Sequence, residues 1–466
     1  MSHSHLASLY RPDFGLLTDL YQLTMAAGYH HHGLHRRRAI FHLSFRRPPF
    51  GANFALAAGL PLAMDLIEGL KFSAEDMQYL GNVRGNDGEP LFTERFLHFL
   101  QRLRFTGHVD AIPEGEIALP HDPLLRIEAP LVEAQLLETA LLTVMNFSTL
   151  IATKAALVKQ AAGKDTVLEF GLRRAQGIDG GLTASRSAYL GGCDASSNVW
   201  AGRYYGIPVK GTHAHSWVMV FPDEYTAFGA YAEAMPNNAI FLVDTYDTVE
   251  GVRTAIKVGR EMRGKGHEMV GIRLDSGDLG ALSSEARRLL DEGGFPEAAI
   301  VASDSLDEYA ISNLKLEGAR INVWGIGTKL ATAYEQPALG GVYKLAAIQD
   351  ERGQWQPRIK LSENPVKRSF PGKLNVRRTV DRSGLPLGSQ LYNELEEQSG
   401  PGSDLLQSVY RDGSCVYTPP PLAETRALAL RNWSLWSERV DFATFRADPH
   451  PGLVAQQQRL QQQATR

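Results

Sequence analysis

The sequence predicts an α/β protein whose central part closes into an irregular (β/α) barrel of about seven parallel strands, preceded by an N-terminal α/β domain. Three observations lead there. First, seven short apolar runs follow one another after residue 163: 166–171, 207–212, 239–245, 269–278, 298–304, 321–328 and 341–348. Second, amphipathic helical patterns fill most of the gaps, as at 248–262, 283–294 and 307–318; alternation of this kind implies a parallel sheet with helices outside it. Third, neither G-x-G-x-x-G nor G-x-x-x-x-G-K-S/T follows the first of these strands. That disfavours the alternative, an open doubly wound nucleotide-binding sheet.

Taken in order, residues 13–29 open with apolar positions at helical spacing, with Thr18 or Asp19 as the cap. Residues 39–47 read as a strand and 54–70 as a buried helix. Residues 105–130 are β-rich, punctuated by Pro113, Gly115, Pro120 and Pro123. Two helices are expected over 132–147 and 148–163, with Ser148 as the N-cap of the second. The expected domains are 1–147, the barrel at 148–350, and a C-terminal extension at 351–466 that completes the fold. The glutamine-rich tail 456–466 is expected to be frayed.

Composition narrows the function. In 466 residues, 44% are hydrophobic and 21% charged, ordinary values for a protein with a sizeable core. Forty-eight basic against 52 acidic side chains leave a formal charge of -4, which argues against nucleic-acid binding while allowing a local basic pocket for phosphate. The two cysteines, Cys193 and Cys415, make neither a disulfide framework nor a CxxC metal site. The first residues lack the pattern of a signal peptide, and no run of roughly 18 apolar residues stands out, so a cytoplasmic protein is expected. The three histidines at 30–32 read as a solvated turn.

In a barrel, reactive groups gather at the C-terminal ends of the strands. Those ends here carry Arg173 and Arg174, then Thr212, His213 and His215. Asp244 and Thr245 follow, then Arg273, Asp275 and Asp278, then Ser303 and Asp304, and last Gly327 and Thr328. Arginines offer bidentate charged donors to phosphate, and a Gly-Ile-Gly-Thr turn lets backbone N–H groups approach an anion. Asp275 and Asp278 suit ribose hydroxyls or Mg²⁺. Each feature alone has a structural explanation, such as an ion pair for Arg174. Their recurrence at most strand ends points to a sugar-phosphate substrate and transfer at a ribose carbon.

The motifs TDLYQLTMAAGY (18–29), FALAAGL (54–60), QLLETALL (135–142), GLRRAQGIDGGLTASRSAYLGG (171–192), GTHAHSWV (211–218), RLDSGDL (273–279), GIGT (325–328) and GGVYKL (340–345) together resemble those of nicotinate phosphoribosyltransferases, in that family's order. The resemblance implies an N-terminal domain shared with quinolinate and nicotinamide phosphoribosyltransferases, and a homodimer with active sites near the subunit interface. It implies synthesis of nicotinate mononucleotide from nicotinate and 5-phosphoribosyl 1-diphosphate in NAD biosynthesis. ATP coupling is implied to run through phosphorylation of His215, with Mg²⁺ accompanying the phosphates. By motif position, Tyr21, Thr212 and Arg273 match nicotinate-binding residues. Thr328, Gly327, Arg173, Asp275, Ser303 and Asp304 fall at the phosphoribosyl diphosphate site. Nicotinamide-specific relatives carry Asp where this chain has His213, which favours the acid over the amide. His213 itself departs from the apolar residues commoner there, and leaves two histidines as candidates for phosphorylation, with His215 favoured.

The rival readings are a nicotinamide or quinolinate phosphoribosyltransferase, a barrel isomerase or aldolase using Lys329, and a binding protein that keeps the fold without catalysis.

Overall fold

The computed structural model describes residues 13–361, 369–396, 400–437, 445 and 447–464. The chain divides into two compact units, one formed by residues 1–150 and 338–466, the other by 151–337.

The second unit holds six parallel strands: β1 (Thr166–Glu169), β2 (Ala195–Ser196), β3 (Ile240–Leu242), β4 (Gly271–Leu274), β5 (Ala299–Ala302) and β6 (Val323–Ile326). They are ordered β2-β1-β6-β5-β4-β3. The first strand thus pairs with the last, Thr166 beside Val323 through Glu169 beside Ile326. That is the circuit of a barrel and excludes the doubly wound alternative. β4, β5 and β6 are short and apolar, with Ile272, Leu274, Ile300, Ala302, Trp324 and Ile326 buried, as strands covered on both faces must be.

Two of the seven expected strands fall elsewhere. Of the run 207–212, only Val209 pairs, through a parallel bridge to Ser196 that extends the circuit past β2. Between that segment and β3 no backbone ladder forms among the described residues. Side chains span the seam instead: Asn238 donates to the Gly211 carbonyl at 3.3 Å, and the Leu242 N–H donates to His213 Nε2 at 3.2 Å.

The run 341–348 is a strand, Val342–Gln349, but it lies antiparallel to Arg38–Ser44 in the first unit. Apolar alternation identifies a strand without naming its partner. The first unit's main sheet has seven antiparallel strands, with Arg38–Ser44 between Val342–Gln349 and Leu125–Pro130.

Helices follow the barrel strands: α1 (Gly177–Leu190), α2 (Val199–Tyr205), α3 (His215–Val220), α4 (Glu224–Ala234), α5 (Thr248–Gly264), α6 (Leu279–Glu292), α7 (Glu308–Leu316) and α8 (Thr328–Ala331). Aspartates cap four of them. Asp223, Asp247, Asp278 and Asp307 each accept an N–H from the first turn of α4, α5, α6 and α7. Asp278 thus caps α6 through Oδ1.

The two helices expected over 132–163 are divided differently. A short helix, Leu131–Leu136, precedes one continuous helix, Glu138–Ala162. Ser148 lies inside the latter, fully buried, where Gly59 approaches so closely that a Cβ there would sit 2.9 Å from Ser148 Cβ. Its small size is what the packing requires, and it caps nothing. This helix is long and apolar enough to cross a membrane by length and composition, but 67% of its most apolar window is buried in the protein, as in a core helix.

The tail also differs from expectation. Pro451–Ala464 is helical. Leu453 is buried, Gln456 bonds Asn393 and Glu396, and Gln457 donates to the Ser369 carbonyl, so amides that read as solvent-facing anchor the helix.

Candidate active site

Strand β4 delivers the central group. Arg273 is its third residue, half-buried, and its guanidinium reaches three elements at once. Nε donates to Ser303 Oγ at 2.8 Å, Nη1 to Thr212 Oγ1 at 3.1 Å and Nη2 to Asp275 Oδ1 at 2.7 Å. The same Asp275 oxygen accepts the Ser303 hydroxyl. Burial opposes the charge of Asp275, but the Ser303 hydroxyl and the Arg273 guanidinium outweigh it and hold the carboxyl below its usual range. Asp275 is therefore ionised at neutral pH. Its backbone N–H, with the Ser276 hydroxyl, is gathered by Asp244 Oδ2 at 2.8 and 2.7 Å, which ties the end of β4 to the end of β3.

His215 starts α3. Its Nδ1 lies 3.1 Å from Thr245 Oγ1 and its Nε2 3.7 Å from Asp275 Oδ2, and 40% of the side chain is exposed. His213, two residues earlier, is placed very differently. Only 7% of it is exposed, and its ring packs against Tyr231 and Phe228. Nε2 accepts from Leu242 N–H while Nδ1 lies 3.4 Å from the Ala214 carbonyl, an arrangement that needs the neutral ring with its proton on Nδ1. Burial pushes its pKa down to about 4, helped by Arg273 and His215. His213 is part of the wall, turned away from solvent.

The remaining residues occupy neighbouring strand ends. Arg173 is exposed on a single helical turn, Leu172–Arg174, after β1. This turn packs on α8, where Gly327 and the exposed Thr328 begin. Gly171 permits the approach, since a Cβ there would lie 2.3 Å from Ala331 Cβ. After β5, Ser303 is buried and Asp304 exposed. Asp304 and Ser305 both have positive φ, 104° and 44°. Two consecutive non-glycine residues in this region cost on the order of 1–3 kcal/mol each, and such strain collects where a loop must aim particular groups. Among the described residues, the Asp304 side chain is bonded only to its neighbour Ser305.

Thr212, His215, Arg273, Asp275 and Ser303 are thus joined in one network. Arg173, Gly327, Thr328 and Asp304 stand on adjacent ends without a bond to it. Tyr21 belongs to the other unit, 49% exposed on the helix Leu20–His31. Lys329 donates to Asp307 at 2.6 Å, and this bond raises its pKa, so it is no free amine for aldolase chemistry.

One perturbed carboxyl is not signalled by the sequence. Glu224, at the start of α4, is pushed up to about 7 by burial and by Asp247 and Asp244. Nothing in its helical context signals this, because the effect arises from burial and, after it, from the carboxylates that follow β3.

Known proteins match this chain over most of its length. The model of the nicotinate phosphoribosyltransferase (NAPRTase) N-terminal domain matches residues 16–146, and that of the NAPRTase family matches 166–367. The chain belongs to the nicotinate phosphoribosyltransferase family. The nicotinate phosphoribosyltransferase of Bacillus subtilis is 50% identical over 447 residues, covering 91% of this chain and 89% of that protein. The human enzyme of that name is 39% identical over 490 residues, covering 89% and 90%. The crystal structure of human nicotinic acid phosphoribosyltransferase superposes with a TM-score of 0.80 at 34% identity, covering 95% of this chain and 99% of that one. A nicotinate-nucleotide pyrophosphorylase from Pyrococcus furiosus shares the fold, with a TM-score of 0.75 at 21% identity over 94% and 100% of the two chains.

Proposed function

We propose that this chain joins nicotinate to 5-phosphoribosyl 1-diphosphate, giving nicotinate mononucleotide and pyrophosphate for NAD biosynthesis. One observation carries the choice of substrate. A guanidinium has five N–H groups, and Arg273 uses three on Ser303, Thr212 and Asp275. Two remain to meet a carboxylate, in an orientation already fixed. Thr212 supplies a hydroxyl beside it, and Tyr21 an aromatic face for the pyridine ring, from the same chain or from a second copy. In the reaction the ring nitrogen attacks the ribose C1, the C1–O bond to diphosphate breaks, and pyrophosphate leaves. Asp275, ionised, faces the positive charge that develops on the sugar. Arg173, Gly327, Thr328, Ser303 and Asp304 hold the phosphates and ribose.

ATP coupling is assigned to His215. Its exposed ring has Nδ1 anchored on Thr245 and Nε2 turned toward Asp275. With the proton on Nδ1, Nε2 carries the lone pair that attacks the γ-phosphorus, and ADP leaves. His213 is unsuited, since its Nε2 is occupied within the wall. No group of three or more His, Cys, Asp or Glu among the described residues is arranged to hold a metal ion. Mg²⁺ is proposed to enter as the partner of the phosphates of ATP and of the ribosyl donor.

A homodimer fits the barrel surface. Trp200, Tyr204, Met219, Val220, Tyr246 and Tyr334 follow the C-terminal strand ends, each more than half exposed. Such an apolar rim around a site marks an association surface, and a second copy would cover it. The cytoplasm is the proposed compartment.

The test uses γ-labelled ATP. Acid-labile, base-stable label is expected on the wild type and on His213→Gln, and none on His215→Ala; label that survives in His215→Ala overturns the assignment. In steady-state assays, nicotinate is expected to be turned over in preference to nicotinamide and quinolinate, with ATP raising turnover or lowering KM.

A further inference from the structure

The first unit contains an open cavity of about 680 Å³ that the proposed chemistry does not use. Its volume lies within the roughly 300–1,000 Å³ typical of small-molecule sites. One wall is a face of the helix Glu94–Arg102, where Arg95, His98, Phe99 and Arg102 recur at helical spacing. Arg36 enters from the turn before the strand Arg38–Ser44. None of the three arginines has a hydrogen bond or ion pair among the described residues. The acids present do not answer them. Glu133 is engaged by the backbone and hydroxyl of Thr106, and Glu94 sits in the first turn of its own helix.

The aromatic floor is built as well. The Phe99 ring packs on His30 at 4.9 Å and His35 at 5.1 Å, and the two imidazoles touch each other at 4.9 Å. The histidine run expected to be a solvated turn therefore sends His30 inward. Burial lowers the pKa of both rings. Arg95 and His31 add to the effect on His30, and His30, Arg36 and Arg95 add to it on His35.

We propose that this cavity is an accessory binding site for a small phosphate-bearing ligand, held by Arg36, Arg95 and Arg102 against the Phe99 wall. Guanidinium forks match phosphate oxygens in pairs. Three like charges that line one cavity without a direct ion pair leave their guanidinium donors open to an anion that sits among them. Binding also has a proton signature. An anion against Arg36 and Arg95 offsets the positive field on His30 and His35, so the imidazoles take up protons as it enters. Affinity then rises as pH falls from 8 to 6.

The test is calorimetric titration of the full chain with inorganic tripolyphosphate and, separately, with ADP, at low salt. Two classes of site are expected in the wild type, one being the barrel mouth. In Arg95→Ala/Arg102→Ala the second class is expected to weaken at least about tenfold while basal turnover stays unchanged. Arg36→Glu provides an independent check. Heats measured in two buffers of different ionisation enthalpy should show proton uptake in the wild type that is lost in the variants. Tighter binding of ADP assigns a nucleotide; equal affinity assigns a plain polyphosphate. A single class of site in the wild type, or isotherms unchanged in the variants, overturns the proposal.

Discussion

The two sides of the barrel are held together by different means. From β3 through β4, β5 and β6 to β1 and β2, neighbouring strands share backbone ladders, with Arg273 beside Val301 and Leu274 beside Ala302. Across the seam between Gly211–His213 and β3 the bonding among the described residues runs through side chains, those of Asn238 and His213. Arg273, Asp275 and Ser303 stand on the laddered side, Arg273 within β4 and the other two directly after β4 and β5. Thr212 and His215 stand on the seam. Three of the groups assigned to the substrates thus stand at laddered strands, while Thr212 and the histidine assigned to accept and release phosphate follow a segment tied to β3 and β4 through side chains, the Arg273–Thr212 and His215–Thr245 bonds among them.

Substitutions on the two sides should separate these roles. Arg273→Ala should be the most damaging, lowering kcat/KM for nicotinate on the order of a hundredfold or more, since hydrogen bonds to charged groups contribute about 1.5–3 kcal/mol each. Arg273→Lys should recover little, because one ammonium cannot reach three partners along fixed directions. Near-normal kinetics in either variant, with an intact circular dichroism spectrum, would break the comparison on its rigid side.

His213→Ala probes the seam. It leaves the buried Leu242 N–H unpaired, a cost of about 1–3 kcal/mol, and frees Thr212. The expected result is a lower melting temperature together with a KM for nicotinate raised about tenfold. His213→Gln, whose Oε1 reaches the place of Nε2, should restore most of both. Equal defects in the Ala and Gln variants would show that the ring's packing, and not its acceptor, closes the seam.

A smaller effect is expected from Ser303→Ala. Removing one hydroxyl from the Arg273–Asp275 pair should cost about 0.5–1.5 kcal/mol, or between about two- and tenfold in kcat/KM.

The smallest effect concerns Glu224, whose carboxyl is held protonated up to about 7 by burial and by Asp247 and Asp244. In the unfolded chain it ionises at lower pH, so the folded state binds the extra proton between the two values and stability falls as pH rises across that window. Glu224→Gln removes this slope. It should raise the melting temperature at pH 8 and leave it unchanged at pH 5; an equal shift at both would show the carboxylate is not under strain.

Much of the barrel was legible in the sequence, because each parallel strand is a short apolar run closed by a polar end. Arg273, Asp275 and Ser303 were legible for the same reason, since each lies at the end of such a run; Thr212 was found in the same way although its run forms only a single bridge, at Val209. What was not legible depends on partners far away in the chain. Val342–Gln349 carries the same kind of apolar run as the barrel strands and pairs with Arg38–Ser44. Ser148 reads as a cap until Gly59 is seen pressing on it. His213 and His215 are indistinguishable by spacing, and only the unpaired N–H of an edge strand draws one of them into the wall. Asp278 has a ligand's chemistry, and its place as the cap of α6 shows only once the helix start is seen.

The insertion of the barrel within the first unit has a consequence for synthesis on the ribosome. Arg38–Ser44 emerges early, yet its neighbour Val342–Gln349 follows only after roughly 300 further residues. At about 5–20 residues per second, that strand edge waits on the order of 15–60 seconds for its partner. The barrel, though second to begin, has all its strands available first. During that interval the early strands present an open apolar edge, so yield in the cell should depend on what shields it while the rest of the chain is made.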